Sequence, residues 1–254
     1  MTIKVDPEEN EIGALFDFVD LAGGRVLEIG SGDCRLTWRY AGRVEQVTAV
    51  EPFSPAITRA REQLPRELEG LVVLRQAAFA EFAAQTRTSA FDVAIFSWSL
   101  CCMEPDRMVP ALEEVHRLLG PSGKLIDIHP VPGTAQVEVH RAGQVVFAEP
   151  ASASAEEGVL HADEALARVA GRGLFVLERQ MESDFRVYGS SGDELCDFLT
   201  EADAHSTQAC EEACDAFTSE LFARVDRIMA GQAGAAEVAY YERGRITRLR
   251  PVIM

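Results

Sequence analysis

The stretch Arg25-Val-Leu-Glu-Ile-Gly-Ser-Gly-Asp-Cys-Arg-Leu-Thr37 sets the expectations for the whole chain. Its apolar run at residues 26–29 is typical of a buried strand, and Gly30 and Gly32 follow at once. Residues 35–40 then predict the first turns of a helix. A strand, a glycine turn and a helix in this order bring a nucleotide-like ligand against bare backbone, where a Cβ atom would block the approach.

The glycine turn lacks the last glycine of the dinucleotide fingerprint G-x-G-x-x-G, because Arg35 stands in that place. Two carboxylates lie beside the turn: Glu28 precedes it, and Asp33 lies within it, where it is also placed to cap the helix. These acids would repel a pyrophosphate and favour a ligand that carries positive charge. Taken alone, the stretch is equally compatible with a tight turn in any α/β protein.

Another acidic residue, Glu51, follows the next predicted strand, residues 44–50, and lies 21 positions after Gly30. A carboxylate at the end of this strand can accept hydrogen bonds from both hydroxyls of a ribose. Pro52 comes directly after it and stops the strand. The alternative is a solvated loop acid, but the spacing from the glycines favours the ribose.

Length and charge limit the possible functions. The chain has 254 residues, enough for one large domain with an elaboration. Its formal net charge of −17 argues against nucleic acids and anionic membranes as partners, whose phosphates would be repelled. No apolar run reaches the roughly 18 residues that span a bilayer, and the first residues contain no signal-peptide hydrophobic region. We therefore expect a cytoplasmic protein.

The cysteine pattern gives no sign of a metal or a disulfide framework. The chain has six cysteines and no C-x-x-C pair, so we expect free thiols, at Cys34, Cys101, Cys102, Cys196, Cys210 and Cys214. Cys210 and Cys214 would share one helix face, with His205 as the nearest further ligand. Because these residues do not complete a tetrahedral set, we predict no metal site.

The glycine turn resembles the first motif of the class I S-adenosylmethionine (SAM)-dependent methyltransferases, E/D-x-G-x-G-x-G. Glu28, Gly30 and Gly32 match that motif, and Cys34 stands where the family has its third glycine. The substitution narrows the turn but leaves its backbone donors in place. The resemblance is to the small-molecule, ubiquinone-biosynthesis-like type of the family.

Two further segments strengthen this resemblance. Glu51 stands where these enzymes carry an acidic residue, and residues 114–125, Glu-Val-His-Arg-Leu-Leu-Gly-Pro-Ser-Gly-Lys-Leu, resemble the family's E-x-x-R-x-L-k-P-g-G segment. The resemblance covers about residues 12–130. It implies an α/β, Rossmann-like fold: a seven-stranded, mostly parallel sheet with helices on both faces. Residues 1–130 would form the SAM-binding half.

The resemblance also implies where SAM binds. The carboxyl ends of the first four strands would hold it, although the family's adenine-binding Asp is replaced by Ala77, which leaves adenine to backbone groups and packing. The residues that we expect to bind the cofactor are Glu28, Gly30, Ser31, Gly32, Asp33, Cys34, Glu51, Pro52, Ala78, Phe79, Ser97 and Trp98.

The implied reaction is an SN2 transfer of the SAM methyl group to a small-molecule acceptor. His129 ends the fifth predicted strand near the methyl, and an imidazole with a pKa of about 6.5 could act as a base there. It could equally be a capped histidine at the end of a strand. By their position, the candidates for binding the acceptor are Trp98, His129, Phe185, Arg186 and Tyr188.

Residues 131–254 are expected to complete the same domain, with insertions at 131–157 and 182–237 on the substrate side. A hairpin is predicted around Ala142-Gly143, and two final strands are predicted at 238–241 and 245–249. The second insertion has apolar helical faces, which we interpret as a lid over the acceptor. The alternative is that these faces form a homodimer interface.

Two other functions stay open from the sequence. The domain could bind SAM without transferring a methyl group, since Cys34 and Ala77 depart from the family pattern. It could also be an NAD-dependent oxidoreductase, which uses a glycine turn and an acid after the second strand. Glu28 and the missing fingerprint glycine count against NAD.

Overall fold

The computed structural model describes residues 3–151, 156–203, 220–221, 223–230 and 236–252. The elements of the first half are, in chain order, β1 (Lys4–Val5), α1 (Asn10–Phe18), β2 (Arg25–Ile29), α2 (Thr37–Tyr40), β3 (Gln46–Glu51), α3 (Ser54–Gln63), β4 (Val72–Gln76), α4 (Phe79–Ala84), β5 (Phe91–Ser97), α5 (Pro105–Leu118) and β6 (Leu119–Pro130). Those of the second half are β7 (Gln136–Arg141), β8 (Gln144–Pro150), α6 (Glu156–Gly171), β9 (Phe175–Gly189), α7 (Gly192–Asp203) and β10 (Ala236–Pro251).

Strands β2 to β6 form a parallel half in the spatial order β4-β3-β2-β5-β6. The chain leaves β2 for β3 on one side, while β5 lies on the other side of β2. This reversal of strand order opens a crevice at the carboxyl ends of β2 and β5, where ligands bind in open α/β sheets. The first glycine turn therefore lies at the edge of this crevice.

The central strands are covered by helices on both faces, so they are apolar almost throughout. On one face, Val26 and Ile95 pack with Leu15 of α1 and Tyr40 of α2. On the other face, Leu27, Phe96 and Leu125 pack with α4, α5 and α6, through residues such as Ala83, Leu112 and Val169. Alternate residues of each strand supply the two cores.

Strands β7 to β10 form an antiparallel extension on the far side of β6. β10 pairs with β6 along one half and with β7 along the other, while β9 runs beside it and pairs with β1. A third core covers one face of this extension: Leu195 of α7 and Leu221 and Val225 of the helical residues at 220–221 and 223–230 pack on Val137 and Val187.

The predicted α/β, Rossmann-like fold is confirmed, with ten strands in the described sheet rather than seven. The predicted hairpin is also confirmed as β7 and β8, and its turn residues Ala142 and Gly143 have positive φ angles of 50° and 76°. Residues 120–123, Gly-Pro-Ser-Gly, lie within β6, where the pairing with β5 shifts register.

Two predictions about the second half are wrong. The final two strands are one continuous strand, β10, which passes through Gly244 without a turn. Phe185, Arg186 and Tyr188 do not begin an insertion, because β9 runs on to Gly189. The strand continues because β10 pairs with it over its whole length.

Candidate active site

The glycine turn, residues 30–35, is held against the end of β3. The backbone N–H groups of Gly30 and Ser31 both donate to the carbonyl oxygen of Val50, at 2.8 and 3.2 Å. Gly30 has a φ of +71°, and a Cβ atom there would lie 2.5 Å from the Cβ of Ser99. Gly32 has a φ of +56° and open space where a Cβ would stand. The first glycine therefore allows a close backbone approach, and the second leaves a bare surface at the crevice.

Glu51 joins this turn directly. Its buried carboxylate accepts the N–H of Gly32 at 2.9 Å and the N–H of Phe53 at 2.8 Å. Each carboxylate oxygen has more than one lone pair, so both oxygens can accept a further hydrogen bond. The structure thus brings together the glycine turn and the acid at the end of the second parallel strand, as the spacing predicted.

Glu28 lies beneath the turn rather than at its surface. Its side chain is 2% exposed, and one carboxylate oxygen accepts both the Thr37 hydroxyl and the Tyr40 hydroxyl, each at 2.6 Å. Burial raises the pKa of Glu28 to about 7, although these two hydrogen bonds oppose the shift. The carboxylate therefore anchors α2 under the turn.

Cys34 adopts the backbone conformation of the glycine that it replaces, with a φ of +67°. Its side chain is fully buried in the core beside β2, and burial raises the pKa of its thiol to about 12. Next to it, Asp33 accepts the N–H of Arg35 at 3.3 Å and so closes the turn before α2. A buried neutral thiol of this kind is a packing residue and not a nucleophile.

The residues expected at the adenine end separate into two groups. Pro52 and Ala78 are exposed at the strand ends. Phe79 is buried instead, and its ring packs edge-on against Phe96 with the ring centroids 6.4 Å apart. The backbone N–H of Ala77 donates to the carbonyl of Glu51 at 3.3 Å, so this loop is fixed to the ribose end. Phe79 packs in the core because the first turn of α4 faces inward.

At the carboxyl end of β5, Trp98 and Phe185 form an aromatic pair with ring centroids 4.6 Å apart. Trp98 has a φ of +56°, a strained conformation for a bulky residue and one that occurs most often at functional sites. A Cβ atom at Gly244 of β10 would lie 3.4 Å from the indole, so the ring packs closely on this strand. Two predicted acceptor residues are therefore in contact.

Glu11 of α1 holds this region together, and sequence reasoning missed it. One oxygen of its carboxylate accepts the Ser97 hydroxyl at 2.6 Å and the Trp98 indole N–H at 2.9 Å. Its other oxygen lies 2.6 Å from the guanidinium of Arg35, which in turn lies over the Phe185 ring. The only signal in the sequence is an acid in the first turn of an amphipathic helix, a common feature.

His129 lies apart from the aromatic pair, on the α6 side of the sheet. Its Nδ1 atom is 2.6 Å from Asp127 and its Nε2 atom is 3.3 Å from Asp163, which also pairs with Arg245 at 2.9 Å. Burial opposes the charge on the ring, but the two carboxylates raise the pKa of His129 to about 9. A protonated ring has no free nitrogen to accept a proton, so this setting does not suit a general base at neutral pH.

Arg186 and Tyr188 are also separated from Phe185, because successive residues of a strand point to opposite faces. Arg186 pairs with the buried Glu138 at 3.1 Å, and His140 lies 2.7 Å from the same carboxylate. Both predicted residues line a different cavity of about 490 Å³, together with Lys4, Glu8, His140 and Glu237. They cannot form one wall with the aromatic pair.

The described ranges contain no group of three or more His, Cys, Asp or Glu side chains arranged to hold a metal ion. Cys210, Cys214 and His205 lie outside the described residues. No helix in the described part of the chain has the length and apolar character needed to cross a bilayer.

Residues 27–127 match the family model of the methyltransferase domain. No curated protein matches the chain in sequence. Among solved structures, the YcgJ protein of Bacillus subtilis has a TM-score of 0.54 at 14% identity, over 96% of this chain and 98% of that one. A candidate methyltransferase of Bacillus halodurans has a TM-score of 0.55 at 14% identity, over 95% of this chain and 99% of that one.

A third similar structure, the [4+2]-cyclase SpnF, has a TM-score of 0.50 at 19% identity, over 95% of this chain and 80% of that one. At these identities the likeness shows the fold alone, and the cyclase shows that the fold does not dictate one reaction. The family match is more specific, since it starts in β2 and ends in β6, across the strands that border the crevice. Residues 27–127 are therefore similar to a methyltransferase domain, and this match indicates SAM as the cofactor.

Proposed function

We propose that this chain transfers the methyl group of SAM to a small-molecule acceptor at the crevice between the glycine turn and the aromatic pair. The observation that carries the proposal is the hydrogen bond from Gly32 to Glu51, which joins the two predicted halves of the cofactor site. When bound, SAM supplies an activated methyl group on a sulfonium. The work of the chain is therefore to align the two reactants and exclude water.

On the cofactor side, Glu51 would accept the ribose hydroxyls with its remaining lone pairs. Gly30, Ser31 and Gly32 would offer bare backbone, and Asp33 would face the positively charged end of the ligand. Glu28 and Cys34, whose side chains are buried beneath the glycine turn, would not contact SAM but would keep the turn in its conformation. Pro52 and Ala78 would border the adenine, while Ser97 and Trp98 would border the methyl.

On the acceptor side, Trp98 and Phe185 would form an apolar wall. Glu11 supports this role because it fixes both the indole and the hydroxyl of Ser97 at the end of β5. His129 would act as a positioning residue that ties β6 to α6 through its two carboxylate partners. Arg186 and Tyr188 would contact only an acceptor long enough to extend past the edge of the sheet.

A small acceptor agrees with the charge and with the second half of the chain. The net charge of −17 disfavours a nucleic acid. The helical insertion packs on the core that contains Phe185 and contacts Trp98, next to the proposed acceptor site. We therefore keep the lid hypothesis for the part of residues 182–237 that lies between β9 and β10, with a homodimer interface as the alternative.

Limited proteolysis separates these alternatives. If the insertion is a lid, cleavage near the described helix at 223–230 should slow when SAM and an acceptor are both present. If it is a dimer interface, protection should depend on protein concentration and not on ligands. The second result would contradict the lid.

The methyl-transfer function is tested in two steps. Titration calorimetry should show binding of SAM and of S-adenosylhomocysteine, and no binding of NAD. A screen of small-molecule acceptors with methyl-labelled SAM should then show transfer of the label. Binding of SAM without transfer to any class of acceptor would favour a SAM-binding module, and binding of NAD alone would overturn the proposal.

A further inference from the structure

The guanidinium of Arg35 is only partly satisfied. Its Nη2 atom lies 2.6 Å from Glu11, whereas its Nη1 atom is shielded from solvent and donates to no acceptor among the described residues. A buried guanidinium N–H without an acceptor is costly, and such a group in a native fold requires an explanation. The simplest explanation is an acceptor that does not belong to the chain.

The neighbouring carboxylates are already engaged. Glu11 receives the Ser97 hydroxyl, the Trp98 indole and Arg35 Nη2, while Asp33 receives the backbone N–H of Arg35. Although burial disfavours its charge, the carboxylates of Glu11, Asp6 and Asp33 raise the pKa of Arg35. The guanidinium is thus a fixed cation whose Nη1 group still has its N–H hydrogens to donate.

The position of Arg35 indicates which ligand group this N–H meets. Glu51 marks the ribose end of the crevice, and the aromatic pair marks the acceptor end. In SAM the sulfonium lies between the ribose and an amino-acid group that carries one carboxylate and one ammonium. With the methyl turned toward Trp98 and Phe185, the amino-acid group falls near the start of α2. There Arg35 complements the carboxylate, and Asp33 complements the ammonium.

We propose that Nη1 of Arg35 donates a hydrogen bond to the α-carboxylate of the bound cofactor, and that Glu11 is the positioning residue that aims the guanidinium. This inference rests on the proposed cofactor site and adds a specificity determinant to it. Because Glu11 also holds Trp98, the same carboxylate would link the cofactor's amino-acid end to the acceptor wall.

The test compares two ligands that differ only in the carboxylate: S-adenosylhomocysteine and its decarboxylated analogue, 5′-deoxy-5′-(3-aminopropylthio)adenosine. Affinities are measured by titration calorimetry on the full chain. Arg35→Met should lower the affinity for S-adenosylhomocysteine about 10- to 100-fold, as expected for loss of a charge-assisted hydrogen bond. It should lower the affinity for the analogue by less than about 3-fold. Arg39→Met is the matched control, since Arg39 lies one turn later and pairs with the exposed Glu9. It should change neither affinity.

Arg35→Met alone leaves the buried Glu11 carboxylate without its cation, which could destabilise the fold. A second variant, Glu11→Gln/Arg35→Met, therefore removes both charges. It should show the same selective loss. Equal losses for both ligands, or no loss for S-adenosylhomocysteine, would overturn the inference while leaving the proposed function intact. If the unaltered chain binds neither ligand, the proposed function fails and the inference fails with it.

Discussion

The parallel half and the antiparallel extension place their polar groups in different ways. In the parallel half, both faces of the sheet are covered, so the polar groups gather where the strands end: Glu51 ends β3, and Ser97 ends β5. Around β7 in the extension, the described residues form a core on one face, and the other face carries Glu138, His140 and Arg186 along the strands themselves. A doubly covered sheet concentrates its chemistry at one edge, whereas a singly covered sheet spreads it over a face.

This difference explains why the acceptor residues expected from position do not form one group. Phe185 faces the buried side of the extension and meets Trp98, while Arg186 faces the polar side. The extension thus contributes the aromatic side chain of Phe185 to the crevice of the parallel half. The two regions should respond differently to equivalent substitutions.

The largest contrast is expected at the turn glycines. Gly30→Ala places a Cβ 2.5 Å from Ser99 and forces a positive φ, so it should destabilise the fold by about 3–5 kcal/mol. Gly143→Ala, in the hairpin of the extension, has the same positive φ but open space, and should cost about 1–2 kcal/mol.

Denaturant unfolding measures both values. Gly32→Ala provides a second control inside the glycine turn, because its φ is positive and its Cβ position is open. Equal costs at residues 30 and 143 would mean that Ser99 moves aside, and would remove the argument for a close approach at Gly30.

The next effect concerns His129, whose pKa is raised to about 9 in the folded chain from about 6.5 in an unfolded one. Since the folded state binds this proton more tightly, the stabilisation is fully present below about pH 6.5 and is lost as the pH rises through about 9. His129→Gln should therefore remove a pH-dependent part of the unfolding free energy on the order of 3 kcal/mol.

Unfolding of both proteins between pH 6 and pH 10 measures this difference, since other titrating groups cancel in the comparison. Asp163→Asn removes one carboxylate partner and should move the loss to lower pH. A difference between His129→Gln and the parent that does not change with pH would contradict a buried imidazolium.

The same contrast between the parallel half and the extension explains how much of the fold and of the site can be predicted from the sequence. The parallel strands were predictable because burial on both faces gives continuous apolar runs and forces glycine at the turn. The position of Glu51 beside the glycine turn was predictable from its spacing, while its role toward a ribose stays a prediction. Glu11 was not predictable, because its partners Ser97 and Trp98 lie 86 and 87 positions away and no local pattern marks that contact.

The extension was harder to predict because its long strands carry polar residues and glycine. Gly244 suggested a turn between two strands, yet it lies within β10, where the Trp98 ring packs against the strand. A glycine inside a strand and a glycine that turns the chain cannot be distinguished in the sequence.

A smaller effect is expected at Glu51. Glu51→Gln keeps a side chain of the same size but removes the charge, so the affinity for S-adenosylhomocysteine should fall about 10- to 100-fold, or about 1.5–3 kcal/mol. Glu45→Gln, at the exposed opposite end of the same strand, is the matched control and should have no effect. Unchanged affinity in calorimetry would remove Glu51 from the ribose site.

The smallest effect compares one exposed ion pair from each region. In the parallel half, Asp92 accepts the backbone N–H of Arg25 and two N–H groups of its guanidinium, at 2.9–3.0 Å. In the extension, Lys4 meets Glu237 through a single contact at 2.6 Å, with both side chains about half exposed. A two-pronged guanidinium contact loses less entropy per hydrogen bond than a flexible ammonium does. Asp92→Asn should therefore cost about 1 kcal/mol, and Glu237→Gln about 0.5 kcal/mol or less.

The pH dependence sharpens this last comparison. The hydrogen bonds from Arg25 lower the pKa of Asp92, so its contribution is present above the ordinary carboxyl pKa and is lost as the pH falls below it. Urea unfolding at pH 7 and at pH 3 should show the cost of Asp92→Asn at the higher pH and little of it at the lower one.

Salt gives a second comparison. Raising the salt concentration should reduce the cost of Glu237→Gln more than the cost of Asp92→Asn, because a single exposed contact depends on Coulomb attraction alone. Glu237→Gln could instead reduce the free energy of unfolding as much as Asp92→Asn does at every salt concentration. The fixed geometry of the guanidinium contact would then give no extra stability at the surface. The two regions would differ only in their buried groups.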